Sequence, residues 1–170
     1  MKDNLSLSHD EGVRKVASLI KGIKFAMLAT TNYEGHIHTR PMTTQQATFD
    51  GTLWFFTTRN APFRQDVDAH PEVNLAYVDI PGNAYVSVCG QAAFIDDHAK
   101  AEELWNPSLK AWFPEGVNDP NLIMLKVDVH SAHYWDAPSS SMVQLMGMVK
   151  ASLTGERYNA GEKGKVSLQH

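Results

Sequence analysis

Short apolar runs separated by turn-forming residues recur along this chain, and they confine it to a fold built largely of β-strands. Phe25 to Thr31 is one such run, closed by Asn32-Tyr33-Glu34-Gly35, and Ile37 to Met42 reads as the strand returning from that turn. The chain continues through Thr48 and Phe49 to Asp50-Gly51, a two-residue hairpin signal, and enters the aromatic run Leu53 to Thr58. These three segments are expected to lie antiparallel in sequence order. Val73 to Val78 reads as a fourth strand and, after the turn Pro81-Gly82-Asn83, Tyr85 to Phe94 reads as a fifth with Gly90 at a bulge. Leu122 to Val129 alternates Leu125 and Val127 with Lys126 and Asp128, which makes a sixth strand, and His133 to Trp135 is a candidate seventh.

Helices punctuate this series. Ser8-His9-Asp10-Glu11 has the form of a capping box, and Val13, Val16, Ala17 and Ile20 follow at helical spacing up to Gly22. Pro62 opens a short helix that His70-Pro71 closes, because the residue before a proline is pushed out of the helical region. Asp96 or Asp97 caps a helix running to Trp105, and a further helical stretch around Leu109 to Trp112 breaks at Phe113-Pro114-Glu115-Gly116. From Pro138 a last helix places Met142, Met146, Val149 and Leu153 on one side, which is expected to bury. Beyond Thr154 the glycines 155, 161 and 164 mix with Glu and Lys, a composition too polar to offset ordering entropy unaided, so a mobile tail is expected. With 170 residues, 43% of them hydrophobic, and no compositional break, the chain is expected to form one domain over residues 1–154, followed by a polar, glycine-containing tail over 155–170. The class is mainly β, a small barrel of antiparallel strands with peripheral helices.

Charge narrows the partners. A formal net charge of −4 without a Lys/Arg block argues against nucleic acid and anionic membranes. No apolar run is long enough to cross a bilayer, and Met1-Lys2-Asp3-Asn4 has no signal-peptide core, so the expected location is the cytoplasm. The single cysteine, Cys89, has no second thiol for a disulfide or a metal knuckle and reads as a buried structural residue. His36 and His38 share a strand face without a third ligand nearby, and no metal site is expected from them or from His130 and His133. Asp96-Asp97 and Glu102-Glu103 read as a helix cap and a solvated helix face. Ser139-Ser140-Ser141 reads as helix-start chemistry, since no nucleophile elbow accompanies it.

Arg40-Pro41-Met42 carries the clearest chemistry. A guanidinium, a proline lacking a backbone donor and a polarisable thioether set a charged clamp beside an apolar contact. Thr57-Thr58-Arg59, at the end of the aromatic run, offers hydroxyl and charged donors to the same anion if the two strands lie side by side. That pairing suits a phosphorylated aromatic cofactor; ordinary solvated strand ends are the alternative.

Over nearly the whole chain these blocks fall in a recognisable order: Ala29-Thr30-Thr31, Arg40-Pro41-Met42, Trp54-Phe55-Phe56-Thr57, His70-Pro71-Glu72-Val73-Asn74-Leu75, Trp105-Asn106-Pro107, Ala111-Trp112-Phe113-Pro114-Glu115-Gly116, Asp119-Pro120 and Tyr134-Trp135. In order and spacing the sequence resembles the general stress protein 26 branch of the pyridoxamine 5′-phosphate oxidase-like flavoproteins. The resemblance implies a split β-barrel of six or seven antiparallel strands that binds FMN. It also implies that Thr39, Arg40, Pro41 and Met42 lie along the flavin, with Arg40 directed to the phosphate, and that Phe56, Thr57 and Thr58 contact ribityl and phosphate oxygens. The family's Ser-x-Lys at the next helix is absent, its positions being Ala61 and Phe63, so Arg64 or Arg59 is the candidate for the second cation.

A homodimer with FMN at the subunit interface is implied as well. In it Trp112 either walls the partner's flavin or packs under its own loop. Trp54 and Trp105 are expected in core packing, and Trp135 is open. The function expected is that of a flavin-dependent oxidoreductase acting on a small-molecule substrate, or else of a non-catalytic FMN-binding stress protein that stores or senses flavin. Pyridoxamine phosphate oxidation itself is not expected, because the family's Arg/His-rich C-terminal motif is replaced by residues 161–170, which read GEKGKVSLQH. No side chain presents itself as a catalytic acid or base. Heme or deazaflavin binding on the same fold fits the Arg40-Pro41-Met42 strand less well than FMN.

Overall fold

The computed structural model describes residues 8–45, 48–137, 141–155 and 161–168. Its seven strands are β1 (Phe25–Thr31), β2 (Ile37–Thr43), β3 (Thr52–Thr58), β4 (Glu72–Asp79), β5 (Ala84–Ile95), β6 (Leu122–Asp136) and β7 (Glu162–Ser167). They form a single antiparallel sheet in the order β2-β1-β4-β5-β6-β3, with β7 also paired to β6, and the sheet curls into a split barrel. Among the described residues the α-helices are α1 (His9–Ile20), α2 (Arg64–Ala69), α3 (His98–Leu104) and α4 (Ser141–Thr154).

Local chemistry sets most element boundaries. The Ser8 hydroxyl accepts from the Glu11 amide while the Glu11 carboxylate accepts from the Ser8 amide, closing the capping box that starts α1. Asp97, not Asp96, caps α3 by accepting from Lys100 N, and Asn106 caps the 3-10 turn Pro107–Ala111. Gly35, at φ 84°, supplies the left-handed residue of the β1–β2 turn.

The expected three-strand meander does not form. β2 and β3 stand at opposite ends of the sheet path, and β3 pairs with β6. Asp50-Gly51 serves the entry to β3: Asp50 Oδ1 accepts from Thr52 N at 3.1 Å, and Gly51 O accepts from Val129 N at 2.9 Å. With residues 44–51 between them, β2 and β3 are not joined by a two-residue turn. The apolar side chains of β3 find their match on β6, where Leu53 faces Val127 and Phe55 faces Leu125.

β6 is one strand of 15 residues, where two were expected. Its inward positions are Leu125, Val127 and Val129 before His130, and Ala132 and Tyr134 after it, so the extra residue of the bulge is His130 and the break opposite falls between Cys89 and Gly90. Gly90 is required there, because a Cβ would lie 2.5 Å from Asp128 O.

Residues 162–167, within the tail expected to be mobile, form β7. Val166 is 1% exposed and Leu168 is buried too, both in the main core. The strand is ordered by the free edge of β6, by Tyr134 Oη donating to Glu162 at 2.7 Å, and by Lys15 of α1 lying 3.3 Å from Glu162 and 3.6 Å from Asp136. Composition could not reveal these partners. The last helix also departs from expectation. Met146, at 67% exposed, and Leu153, at 83%, face outward, because strand side chains and α1 already fill the barrel interior. Pro138 and the side chains of Met142 and Val149 lie outside the described residues.

Two apolar clusters hold the chain together. Val16 and Ile20 of α1 plug the barrel against Leu28, Phe55, Leu75 and Val127. On the other face of β3 and β6, Leu122 and Met124 pack under Ala101, Leu109 and Phe113, with Trp54, Phe56 and Trp105 around them. Trp54 and Trp105 are therefore packing residues, as expected.

Candidate functional site

The alternation of β2 sorts its four candidate residues onto two faces. Thr39 and Pro41 are exposed on the outer face, while Arg40 is half-buried and Met42 is packed into the main core. The Met42 side chain is thus committed to the interior, and only its backbone remains on the edge strand. Arg40 Nη1 donates to Thr30 Oγ1 at 2.8 Å, and its guanidinium lies 4.5 Å from the centre of the Phe63 ring. Burial pulls the Arg40 pKa below its ordinary value, and Asp66 opposes that shift. An arginine stays protonated through such a change, so the site carries a fixed, partly desolvated cation.

Phe63, at the position implied to hold a lysine in similar proteins, is buried, and its ring lies 5.8 Å from that of Phe94. Arg64 covers the Phe94 ring at 4.9 Å and sits 3.7 Å from Asp68, with Nη1 reaching Arg59 O at 3.5 Å. Arg40, Phe63, Phe94 and Arg64 thereby form one run, two rings between two cations, at the start of α2. Arg59 is engaged elsewhere. Its Nη1 and Nη2 donate to the Asp96 carboxylate at 2.6 and 2.9 Å, and Nε donates to Pro120 O at 2.8 Å. The pair raises the Arg59 pKa and lowers that of Asp96, in both cases mainly through this hydrogen bonding. Beside it runs a crevice of about 190 Å³, lined by Asp97, His98, Asn118 and Asp119 among others.

β2 and β3 approach within 8 Å between Cα atoms without forming a ladder. Thr57 is half-buried and Thr58 exposed at the end of β3, whereas Phe56 is held in the second cluster, edge-on to Trp105 at 5.9 Å. Trp112 ends the turn Pro107–Ala111 and is 69% exposed, while the neighbouring Phe113 anchors the loop below it. Of the two readings of Trp112, packing under its own loop does not occur.

The outer face of the sheet joins further residues to Thr39 and Pro41. Pro41, Met27, Ala76, Ser87 and His133 are neighbours in one row across the strands, and Thr39, Ala29, Asn74, Cys89 and Ser131 in the next. Phe25, Val78, Tyr85 and Trp135 flank these rows and are exposed. Cys89 is half-buried on this face and not in the core, and its sulfur accepts from Asn74 Nδ2 at 3.3 Å. Among the described residues, no group of three or more His, Cys, Asp or Glu is placed to hold a metal ion. Among them, too, no helix is long and apolar enough to cross a membrane.

Comparison with known proteins matches this geometry to a family. The profile of the pyridoxamine 5′-phosphate oxidase-like family matches residues 11–159. The chain belongs to that family. Its relatives place it in the general stress protein 26 branch: it is 29% identical to general stress protein 26 of Bacillus subtilis over 136 residues, covering 78% of this chain and 94% of the relative. A crystal structure described as a general stress FMN/FAD binding protein from Xanthomonas citri superposes with a TM-score of 0.65 at 29% identity, over 75% of this chain and 89% of that one. A general stress protein 26 from Jannaschia sp. CCS1 gives a TM-score of 0.74 over 91% of this chain and 96% of its own. At 24% identity that likeness supports the fold alone.

Two residues close to Arg40, Thr30 and Asp66, were not among the site residues expected from the sequence. The signal for Thr30 was there: a hydroxyl at an inward position, flanked two residues away by Leu28, in a strand otherwise apolar on that face.

Proposed function

We propose that this protein of the pyridoxamine 5′-phosphate oxidase-like family is an FMN-binding flavoprotein, that it holds the cofactor between two copies of the chain, and that it works as an oxidoreductase on a small-molecule substrate. The observation that carries the reading is Arg40, a half-buried guanidinium fixed by Thr30 and Phe63 beside an edge strand. The residues fit the cofactor. A guanidinium has five donors in a rigid fork, and Arg40 leaves donors free beyond its bond to Thr30, so a phosphate can be gripped by charge-assisted hydrogen bonds.

In this proposal Arg40 binds the phosphate with the hydroxyls of Thr57 and Thr58. Arg64 is the second cation, because Arg59 is bound to Asp96 and Pro120. The ring lies along Thr39, Pro41 and the backbone of Met42, with Phe56 setting the end of β3 behind it. Trp112, exposed on its own chain, walls the flavin of the partner. The exposed apolar residues around Pro41 favour a dimer: Phe25, Met27, Val78, Tyr85 and Trp135 leave one sheet face uncovered in the single chain. Bound flavin supplies two-electron redox chemistry, and the protein contributes placement, exclusion of water and the electrostatic setting. No catalytic acid or base is assigned, and the cytoplasm is the proposed location.

The absorbance spectrum of purified protein, and the mass of the ligand released on denaturation, test the cofactor. Light scattering tests the dimer. A flavin spectrum, the mass of FMN and a two-chain particle are expected; a colourless monomer that takes up no added FMN would overturn the proposal. Turnover of NADH or NADPH with an artificial acceptor, compared with free FMN, separates an oxidoreductase from a flavin store or sensor.

A further inference from the structure

Thr30 is 1% exposed, a polar side chain within the apolar interior, and it touches the proposed phosphate grip, Arg40, and the carboxylate of Asp66. Its Oγ1 lies 2.8 Å from Arg40 Nη1 and 3.5 Å from Asp66 Oδ2. The donor inventory fixes the direction of both contacts. A guanidinium only donates, so the hydroxyl must accept from Arg40; its single proton is then left for an acceptor, and the carboxylate of Asp66 lies 3.5 Å away. The three groups form a one-way relay across three elements: Arg40 on β2, Thr30 on the paired strand β1, and Asp66 in the first turn of α2.

We infer that Thr30 and Asp66 are positioning residues for Arg40, with Asp66 acting through the Thr30 hydroxyl to hold one edge of the guanidinium so that the remaining edge faces the flavin phosphate. The inference rests on the flavin reading above and adds two residues to it. Two contacts define the guanidinium in space: the Phe63 ring supports its plane, and Thr30 fixes its rotation within that plane. Without the hydroxyl, Arg40 keeps its charge and its ring contact and loses its orientation. Without the carboxylate, the hydroxyl proton has no partner and the Oγ1 lone pair is no longer held toward Arg40. A buried hydroxyl that loses its acceptor also becomes an unsatisfied group, which reinforces the effect.

The test compares FMN with riboflavin, since only FMN carries the phosphate that Arg40 is positioned to meet. Flavin affinity is read by fluorescence quenching for the wild-type chain and for Thr30→Val, Thr30→Ser and Asp66→Ala. Valine matches threonine in shape, and serine restores the hydroxyl. Thr30→Val and Asp66→Ala are each expected to weaken FMN about tenfold while leaving riboflavin unchanged. Thr30→Ser should stay within about twofold of wild type, and Asp66→Ala should add nothing in the Thr30→Val background. An unaltered FMN-to-riboflavin ratio in Thr30→Val would overturn the inference and leave the flavin proposal standing. So would tighter FMN binding by Asp66→Ala, because Asp66 would then merely repel the phosphate. If the wild-type chain binds neither flavin, both fall together.

Discussion

Replacing Gly12 by alanine should destabilise the protein, although alanine is the better helix former. Gly12 lies within α1, where helix propensity alone would favour alanine by about 1 kcal/mol. Its missing side chain makes room for β7: an added Cβ would lie 2.3 Å from Val166 Cγ1 and 3.1 Å from Leu168 Cδ2. Valine is stiff at χ1, and Val166 sits in a strand paired to β6 opposite Ala132, so it cannot swing aside without moving the strand. Overpacking of that kind costs about 1–3 kcal/mol and offsets or exceeds the propensity gain, leaving a net loss of up to about 2 kcal/mol. Val166→Ala should by itself cost about 1.5–3 kcal/mol, from two buried methyl groups and the space they leave. In the double variant the clash with Cγ1 is gone and the nearest remaining atom is the flexible end of Leu168, so Gly12→Ala should become neutral or stabilising there. Urea denaturation followed by circular dichroism gives all three values and their coupling, which should equal the overpacking relieved, about 1–3 kcal/mol. If Gly12→Ala is as stable as wild type or more so, β7 is not seated on α1 and the reasoning fails.

The proposed phosphate grip makes a sharper claim on affinity than on stability. Arg40→Ala should weaken FMN by about 1.5–3 kcal/mol, or ten-fold to more than a hundred-fold, with the urea midpoint little changed; isothermal titration checks it. Arg59→Ala should leave FMN affinity within about twofold, because Asp96 and Pro120 already occupy its donors, whereas Arg64→Ala should weaken it. The contact between β6 and β7 should be acid-sensitive. Hydrogen bonding from Tyr134, then from Lys15 after the smaller opposing effect of burial, holds the Glu162 carboxyl below its ordinary value of 4.5. A depressed carboxyl stabilises the fold above its unfolded value, and that stability is lost as pH falls through the folded one. Glu162→Gln should therefore narrow its gap to wild type below about pH 4.5, a gap no larger than about 1 kcal/mol because the carboxylate is largely exposed. The same contact, with burial the larger cause, pushes the Tyr134 hydroxyl up to about 12, so it remains a donor throughout that titration.

The elements that sequence reasoning located well are those whose causes are local. Ser8 and Glu11 close their own cap, Asn32 to Gly35 turn the chain without help, and Asp97 caps α3 from within a single turn. Arg40 stood out because its neighbours Pro41 and Met42 are unusual in a strand. Elements that depend on distant partners were read differently from what formed. Asp50-Gly51 carries a hairpin signal, yet β3 pairs with β6, some seventy residues away in sequence. Met42 suggested a ligand contact and instead fills the core, since alternation along β2 puts it on the same side as Arg40.

Residue order alone settled the first five strands and the first three helices to within a few residues, that the product would be mainly β, and that a guanidinium would stand late in the second strand, because these follow from side chains acting on their own backbone within a turn or two. Contacts across the fold settled that β2 and β3 end the sheet path, that polar residues 162–167 become a strand with Val166 buried, and that Arg59 pairs with Asp96 while Arg40 meets Thr30 and Phe63. Those outcomes depend on which surfaces meet across the sheet, and contacts between residues far apart in the chain leave no local trace in its order.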